Sequence, residues 1–214
     1  MPRVDLPTRL SPEEAGALWA RQAALQAEAA EVLTQLDLLA CASRLGVPEQ
    51  IGSAASGLMV YRDLDLGVRC RAPGAREVFT ALLPVLAHPG VLEVHYREET
   101  GERSPSGRPQ DQRHYLVLRY HTPAGQAWKV DISVWQSDAA RGQVESARRL
   151  RDLDPELRQV ILWIKDVWSR RPEYPEQVGG VDIYAAVLEH GARTPADFAA
   201  HLEARSSPHE RPAP

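Results

Sequence analysis

The chain has 214 residues, of which 43% are hydrophobic and 25% charged, and its formal net charge is −4. This length and composition are those of one globular domain, or one domain with a smaller appendage, that buries a sizeable core. The acidic balance argues against a general nucleic-acid binder, because such proteins carry a basic surface. Nucleic acid is therefore not the expected partner.

Targeting signals and cysteine patterns are both missing from the sequence. The two cysteines, Cys41 and Cys70, give neither a disulfide framework nor a metal-binding spacing. The first residues contain no apolar signal core, and no apolar run is long enough to cross a bilayer. We expect a cytoplasmic protein without a membrane partner.

The first predicted element is a long helix over residues 11–44. Ser11 suits the N-cap, and Pro12 with the two acids after it is typical of a helix start. An apolar stripe with spacings of seven and four follows, formed by Leu18, Leu25, Val32, Leu36 and Leu39. The stripe favours packing on the helix's own domain, and an exposed surface for a partner helix is the alternative.

Alternating and helical patterns continue along the chain. Strands are predicted over residues 47–51, 63–70, 91–97, 114–120 and 127–135, with a long polar loop at 98–112. Helices are predicted over residues 75–87, 155–170 and 182–190, and a last helix starts at Thr194. In helix 75–87 the inward residues are expected to be Val78, Phe79, Leu82, Leu83 and Leu86. This order predicts an α+β fold with a helical final third.

Two aspartates stand two residues apart in the second predicted strand, after a Gly-Ser turn at Gly52 and Ser53. Side chains alternate along a strand, so Asp63 and Asp65 share one face while the leucines beside them share the other. Two carboxylates this close repel each other unless a cation neutralises them. Mg²⁺ is the usual cation, because it prefers carboxylate oxygens together with substrate phosphates.

A third carboxylate is expected from the last predicted strand. Asp131 lies on the face opposite Val130 and Ile132, and Asp138, a few residues later, is the alternative. The sequence also contains a second acidic pair, Asp152 and Asp154, which has no Gly-Ser turn before it and runs into a proline. That pair predicts a helix-entry turn rather than a metal site.

Together these features resemble the nucleotidyltransferase superfamily, which has the fold of DNA polymerase beta and of the aminoglycoside and lincosamide nucleotidyltransferases. Its pattern is a Gly-Ser turn, a small-residue bend with a further glycine, an Asp-x-Asp strand and a lone carboxylate on a later strand. The matching residues of the bend and the acidic pair are Gly52, Ser53, Ala55, Gly57, Asp63 and Asp65. Arg62 departs from the pattern, because the family often has a small residue there.

The resemblance implies a two-layer α+β fold, with a mixed sheet backed by helices, a long N-terminal helix and a helical C-terminal subdomain. The catalytic domain is expected at residues 1–140, including the helix at 11–44. The C-terminal subdomain is expected at 141–205, and a disordered tail at 206–214.

The resemblance also implies roles for individual residues. Asp63, Asp65 and Asp131 are the expected catalytic and metal-binding residues, and Gly52 and Ser53 are the expected nucleotide-binding residues. Two Mg²⁺ ions about 4 Å apart then clamp the α-phosphate. Asp131 completes one metal site and accepts the proton of the acceptor hydroxyl. Backbone N–H groups of a tight glycine turn entering a helix suit the triphosphate.

The predicted function is a Mg²⁺-dependent transfer of a nucleoside monophosphate to a hydroxyl of a small-molecule acceptor. The expected partners are an NTP, with AMP transferred from ATP, and that acceptor. The alternative is an antitoxin-like or degenerate protein of this fold that modifies or binds a protein partner, which an exposed N-terminal helix would favour.

Several other side chains have two interpretations at this point. The histidines show no ligand spacing and are expected on the surface or on edge strands. Lys129 and Arg119 either reach phosphate or lie on a solvated sheet face. Trp135 and Tyr184 either stack on a ring of a substrate or pack inside the protein.

Overall fold

The computed structural model describes residues 6–137 and 139–206, without the side chains of 139–141 and 206. The described residues form two compact units, one of residues 22–152 and the other of residues up to 21 and from 153 onward. The domain division expected from the sequence stays a prediction. The expected tail, 206–214, lies outside the described residues except for the backbone of Ser206.

A five-stranded mixed sheet forms the larger unit. Its strands are β1 (Gly46–Ile51), β2 (Asp63–Cys70), β3 (Val91–Glu99), β4 (Arg113–His121) and β5 (Ala127–Trp135). They lie in the order β1-β2-β5-β4-β3, and β2 and β5 are parallel while the other neighbours are antiparallel. The mixed sheet predicted from the sequence is confirmed.

Helices accompany the sheet and make up the smaller unit. They are α1 (Pro12–Gln35), α2 (Leu38–Ser43), α3 (Gly52–Ser56), α4 (Ala75–Leu86), α5 (Ala139–Arg151), α6 (Pro155–Trp168), α7 (Gly180–Glu189) and α8 (Pro195–Ser206). Among the described helices, none has both the length and the apolar character that a transmembrane span requires.

The core of the larger unit lies between one face of the sheet and the helices. It contains the residues of β2, β4 and β5 that alternate with the polar ones, such as Leu64, Leu66, Ile132 and Val134. The apolar stripe of α1 joins the same cluster through Leu25, Ala29, Val32 and Leu36. Each such side chain contributes roughly 1.5–3 kcal/mol when it is fully buried. The expected packing of the stripe on its own domain is therefore seen for Leu25, Val32 and Leu36.

The single helix predicted over residues 11–44 is wrong in one respect, because it is broken between α1 and α2. Asp37 has φ 46°, in the left-handed region, and the turn there is closed by a hydrogen bond from Asp37 N to Thr34 O (3.1 Å). The break buries both Leu36 and Leu38 and leaves Leu39, expected on the stripe, 43% exposed. A continuous helix would place Leu36 and Leu38 on different faces.

Two further expectations about the core need correction. In α4, Val78 and Leu82 are buried as expected, but Phe79 and Leu83 are exposed because the helix packs through only one side. His114 is buried at 1% exposure, not on the surface, with its ring nitrogens 2.8 Å from Tyr96 Oη and from Pro73 O.

The smaller unit shows the capping that the sequence predicts. Asp154 Oδ1 accepts a hydrogen bond from Glu156 N (2.8 Å) at the start of α6. The pair Asp152 and Asp154 is therefore a helix-entry turn. At the start of α8, Thr194 Oγ1 accepts a hydrogen bond from Asp197 N (3.0 Å), and Asp197 accepts one from Thr194 N (2.9 Å).

Candidate active site

Three aspartates meet on the polar face of the sheet, where β2 and β5 run side by side. Asp65 is the direct partner of Asp131 in this parallel pair, and Asp63 is the partner of Lys129. One carboxylate oxygen from each of Asp63, Asp65 and Asp131 lies within 4.8 Å of the other two. The sequence-based expectation that these acids converge thus agrees with the geometry. Asp138, the alternative third acid, lies outside the described residues.

The carboxylate of Asp131 is buried and only half satisfied. Its Oδ2 accepts hydrogen bonds from Lys129 Nζ (2.8 Å) and from Tyr115 Oη (2.5 Å). Its Oδ1 is buried and has no hydrogen-bond partner among the described residues. An unpaired buried carboxylate oxygen is energetically costly, and a cation bound there would remove the cost. The donor set therefore fits a hard divalent cation, which binds carboxylate oxygens.

Lys129 lies among the acids, between Asp63 and Asp131. Its ammonium is 2.8 Å from Asp131 Oδ2 and 3.4 Å from Asp63 Oδ1. Burial alone would lower the pKa of Lys129, but the two carboxylates outweigh burial and raise that pKa. Three carboxylates and one ammonium leave two formal negative charges, which one divalent cation balances.

Tyr115 continues the site onto β4. Burial, followed by its hydrogen bond to Asp131, raises the pKa of Tyr115, so the phenol keeps its proton and remains a donor. The guanidinium groups of Arg113 and Arg97 lie over the Tyr115 ring, at 4.1 and 4.9 Å from its centroid. Arg113 also donates to Glu99 (2.7 Å) and to Ser133 (3.0 Å). A chain of ionic and hydrogen-bonded contacts therefore holds Tyr115 in place.

Gly52 approaches the acid cluster from the start of α3. Its φ is +65°, and a Cβ atom on it would lie 2.1 Å from Asp65 Oδ2. Only glycine fits here, for both the backbone conformation and the space. Ser53 follows in the first turn of α3 and is half-buried. The structure thus brings the predicted Gly-Ser turn next to the acids, while its contact with a nucleotide stays a prediction.

Two residues singled out by the sequence have side chains that contact residues other than the three acids. Arg62 pairs with Glu28 of α1, with Nε 2.6 Å from Oε2. Trp135 is buried, and the guanidinium of Arg113 lies 5.0 Å from its ring centroid, so it packs inside the protein.

Sequence reasoning missed Tyr115 and Arg113 as parts of the site and left Lys129 undecided. All three alternate with apolar core residues on β4 and β5, which place them on the same face as the acids. Position 129 is two residues before Asp131, so the same alternation that paired Asp63 with Asp65 could have identified Lys129.

Comparisons with known proteins identify the fold. No protein-family model and no curated protein matches the chain. It is similar to the Cid1 poly(U) polymerase with bound MgGTP (TM-score 0.51, 19% identity, covering 75% of this chain and 49% of that one). It is also similar to a cytoplasmic RNA terminal U-transferase (TM-score 0.52, 20% identity, 83% and 56%). A third similar structure is the GLD-2/RNP-8 complex (TM-score 0.53, 12% identity, 88% and 66%).

These similarities, together with the sheet order and the acid cluster, show that the chain has the nucleotidyltransferase fold. The chain spans between about half and two thirds of the length of each of these structures.

Proposed function

We propose that the protein is a metal-dependent nucleotidyltransferase that transfers a nucleoside monophosphate, AMP from ATP in our expectation, to a hydroxyl group. The observation that carries this proposal is the buried Oδ1 of Asp131, which has no partner among the described residues and lies in a cluster of three carboxylates. Asp63, Asp65 and Asp131 would hold the cation, expected to be Mg²⁺. When bound, Mg²⁺ neutralises charge on the phosphates and on the leaving pyrophosphate.

The reaction balances without a further reagent. The acceptor oxygen forms a bond to the α-phosphorus, the bond from that phosphorus to the bridging oxygen breaks, and pyrophosphate leaves with the bonding electrons. The proton of the acceptor hydroxyl passes to the Asp131 carboxylate. Little more is needed from the protein, because this chemistry depends mainly on positioning and charge neutralisation.

The remaining residues of the site would orient these groups. Lys129 and Tyr115 hold Oδ2 of Asp131 through their hydrogen bonds, which leaves Oδ1 for the cation. Gly52 and Ser53 would contact the triphosphate through their backbone N–H groups. Gly52 supports this role because its backbone already approaches the Asp65 carboxylate more closely than any side chain would allow.

The acceptor that we propose is a small molecule, in keeping with the acidic net charge of the chain. An RNA end is the second candidate, because similar structures are described as a poly(U) polymerase and an RNA terminal U-transferase. The two acceptors differ in the product: only RNA gives a lengthened oligonucleotide.

The alternative function is that of an antitoxin-like protein that modifies or binds a protein partner. An exposed apolar stripe on the long helix would favour this alternative. Instead, Leu25 and Val32 of α1, and Leu36 directly after it, are buried in the core. The other form of the alternative is a degenerate site that no longer binds nucleotide.

Calorimetric titration of ATP with Mg²⁺ tests the proposal. We expect wild type to show an ATP-binding event that requires a divalent cation, and Asp63→Asn/Asp65→Asn to lose that event. Asp152→Asn/Asp154→Asn is the matched control, because it changes an Asp-x-Asp pair at a helix entry and asparagine still serves as an N-cap. If no divalent cation adds a nucleotide-binding event to wild type, the site is degenerate and the proposal is wrong.

A further inference from the structure

A concave surface in the larger unit lies towards the other end of β2 from the acids, and its charge is opposite to theirs. It is a cavity of about 670 Å³ bounded by the end of α2, the end of β2 and the first half of α4. We call it the arginine pocket, after the side chains that line it, Arg44, Arg69, Arg71 and Arg76. We infer that the arginine pocket binds the phosphate groups of a nucleotide, free or within RNA, without a metal ion.

The positive charge of the pocket is largely uncompensated. Arg69 pairs with Glu49 (3.0 Å), but the side chains of Arg44, Arg71 and Arg76 make no ion pair or hydrogen bond with any described residue. Glu77, which also lines the pocket, accepts a hydrogen bond from Gly74 N (2.7 Å), and its charge offsets only one of the four guanidinium charges. Three unpaired guanidinium groups around one concavity create a local positive potential in a chain whose net charge is −4.

The side chains that line the pocket suit a ligand with both phosphate groups and an apolar ring. Guanidinium groups bind phosphate oxygens in a bidentate manner and also stack on flat rings. Between the arginines the lining is apolar, with Leu45, Pro73 and Ala81. The volume lies within the roughly 300–1,000 Å³ that small-molecule sites occupy. A nucleotide has both the anionic groups and the flat ring that such a lining accommodates.

The backbone of the pocket walls is held by contacts within the protein. The Pro73 carbonyl, in the turn that carries Arg71, lies 2.8 Å from the Nε2 atom of the buried His114. Ala72 in the same turn is held at φ 40°, a conformation that alanine rarely adopts. At the opposite wall, a Cβ atom on Gly46 would lie 2.0 Å from Arg69 O, so β1 and β2 are in close contact there. A preformed site loses less conformational entropy on binding.

The arginine pocket and the acid cluster occupy different parts of the strand β2. The strand β2 begins at Asp63, in the cluster, and ends at Cys70, in the pocket lining. On this strand the nearest residues of the two sites, Asp65 and Arg69, are four steps apart, about 13 Å at the usual rise per residue. The two sites also differ in the source of positive charge for a phosphate. Arginine side chains supply it in the pocket, whereas a bound divalent cation would supply it at the acids. Metal dependence therefore separates them.

The test measures ATP binding in EDTA to the Asp63→Asn/Asp65→Asn protein, whose acid site lacks two metal ligands. We expect ATP to bind, and inorganic pyrophosphate to displace it. Arg71→Gln/Arg76→Gln should weaken this binding by about tenfold or more, because each substitution removes a charge-assisted contact to phosphate. Arg148→Gln/Arg149→Gln removes the same charge from exposed positions on α5 outside the pocket lining, and should leave the affinity within about twofold. Both pairs are exposed, so the variants should fold, which circular dichroism checks.

A second arm replaces ATP by a short oligouridylate in the same buffer. Tighter binding of the oligonucleotide identifies RNA as the source of the phosphate, and tighter binding of ATP identifies a free nucleotide. The inference fails if neither probe binds in EDTA, or if the Arg71/Arg76 variant binds as well as its control. Neither result changes the metal-dependent titration of wild type, so the proposed function is tested independently of the arginine pocket.

Discussion

At the scale of single residues, Gly52 is the position where the backbone itself shapes the acid cluster. We expect Gly52→Ala to displace Asp65, to weaken metal-dependent ATP binding by more than tenfold and to lower the free energy of unfolding by about 1–3 kcal/mol. Gly107→Ala is the matched control, because Gly107 has the same φ of +65° and a Cβ atom on it would have no neighbour within 4 Å. It should cost stability but leave ATP binding intact. Wild-type affinity in Gly52→Ala would contradict the proposed arrangement.

Lys129 competes with the cation for the same carboxylates. Its ammonium contacts Asp131 and Asp63, so Lys129→Met should raise the affinity for Mg²⁺ severalfold, as measured by calorimetry without nucleotide. Tyr115 still holds Asp131 in this variant. Arg119→Met is the control, since Arg119 is the partner of Lys129 on β4 and is exposed to solvent. An unchanged or lower Mg²⁺ affinity in Lys129→Met would show that Lys129 supports the site rather than opposing the cation.

The three acids of the site could be predicted from the sequence, but the hydrogen bonds that their carboxylates make could not. Alternation places Asp63 and Asp65 on one face, and the resemblance points to Asp131, so three residues define the cluster. The orphan Oδ1 of Asp131 depends on which donors reach the other oxygen, and these come from Tyr115 on a different strand and from Lys129. The burial of His114 is similar, because its partners lie in β3 and in the turn before α4.

At the scale of secondary-structure elements, the break between α1 and α2 tests why the predicted long helix ends early. Asp37 is exposed, has φ 46° and makes no capping hydrogen bond through its side chain. Glycine adopts this conformation without a steric cost, so Asp37→Gly should stabilise the protein by up to about 1 kcal/mol in urea unfolding.

Asp37→Val provides the opposite case at the same position. A β-branched residue is strained at positive φ, so this variant should lose about 1–2 kcal/mol of unfolding free energy. An Asp37→Gly protein that is less stable than wild type would mean that the chain prefers a continuous helix at this point.

Elements with strong local signals were predicted closely, and elements determined by packing were not. The strand β5 was predicted at its observed bounds, because a clean alternation is enclosed by turn residues. In α4 the sequence offers apolar residues on two sides, and only the neighbouring elements decide that Val78 and Leu82 face inward while Phe79 and Leu83 do not. The break at Asp37 has no sequence signal beyond a residue that tolerates the left-handed conformation.

At the scale of the whole molecule, net charge is a poor description of the surface. The value of −4 is a sum over regions of opposite sign, and the larger unit contains both an acid cluster and a pocket lined by four arginines. The net charge of the chain argues against nucleic acid as a partner. That argument concerns the average surface, so it does not apply to a single pocket. It stays a prediction, and the oligouridylate titration tests it.

Bound metal should stabilise the whole chain by relieving the repulsion between two neighbouring carboxylates. Asp65 and Asp131 are direct partners across β2 and β5, and like charges placed opposite each other destabilise a sheet. In EDTA we expect Asp65→Asn to unfold at a higher temperature than wild type. A relief of about 1 kcal/mol corresponds to about 2–4 °C for a protein of this size.

With Mg²⁺ the order should reverse, because wild type gains the free energy of binding and Asp65→Asn loses most of it. The gain is about 2.7 kcal/mol when free metal is 100 times its Kd. Thermal unfolding of both proteins with and without Mg²⁺ measures this crossover, and Asp152→Asn controls for the change in net charge at an exposed position. If Asp65→Asn is the less stable protein in both buffers, Asp65 stabilises the fold by itself, and the acids do not form a site whose repulsion a cation relieves.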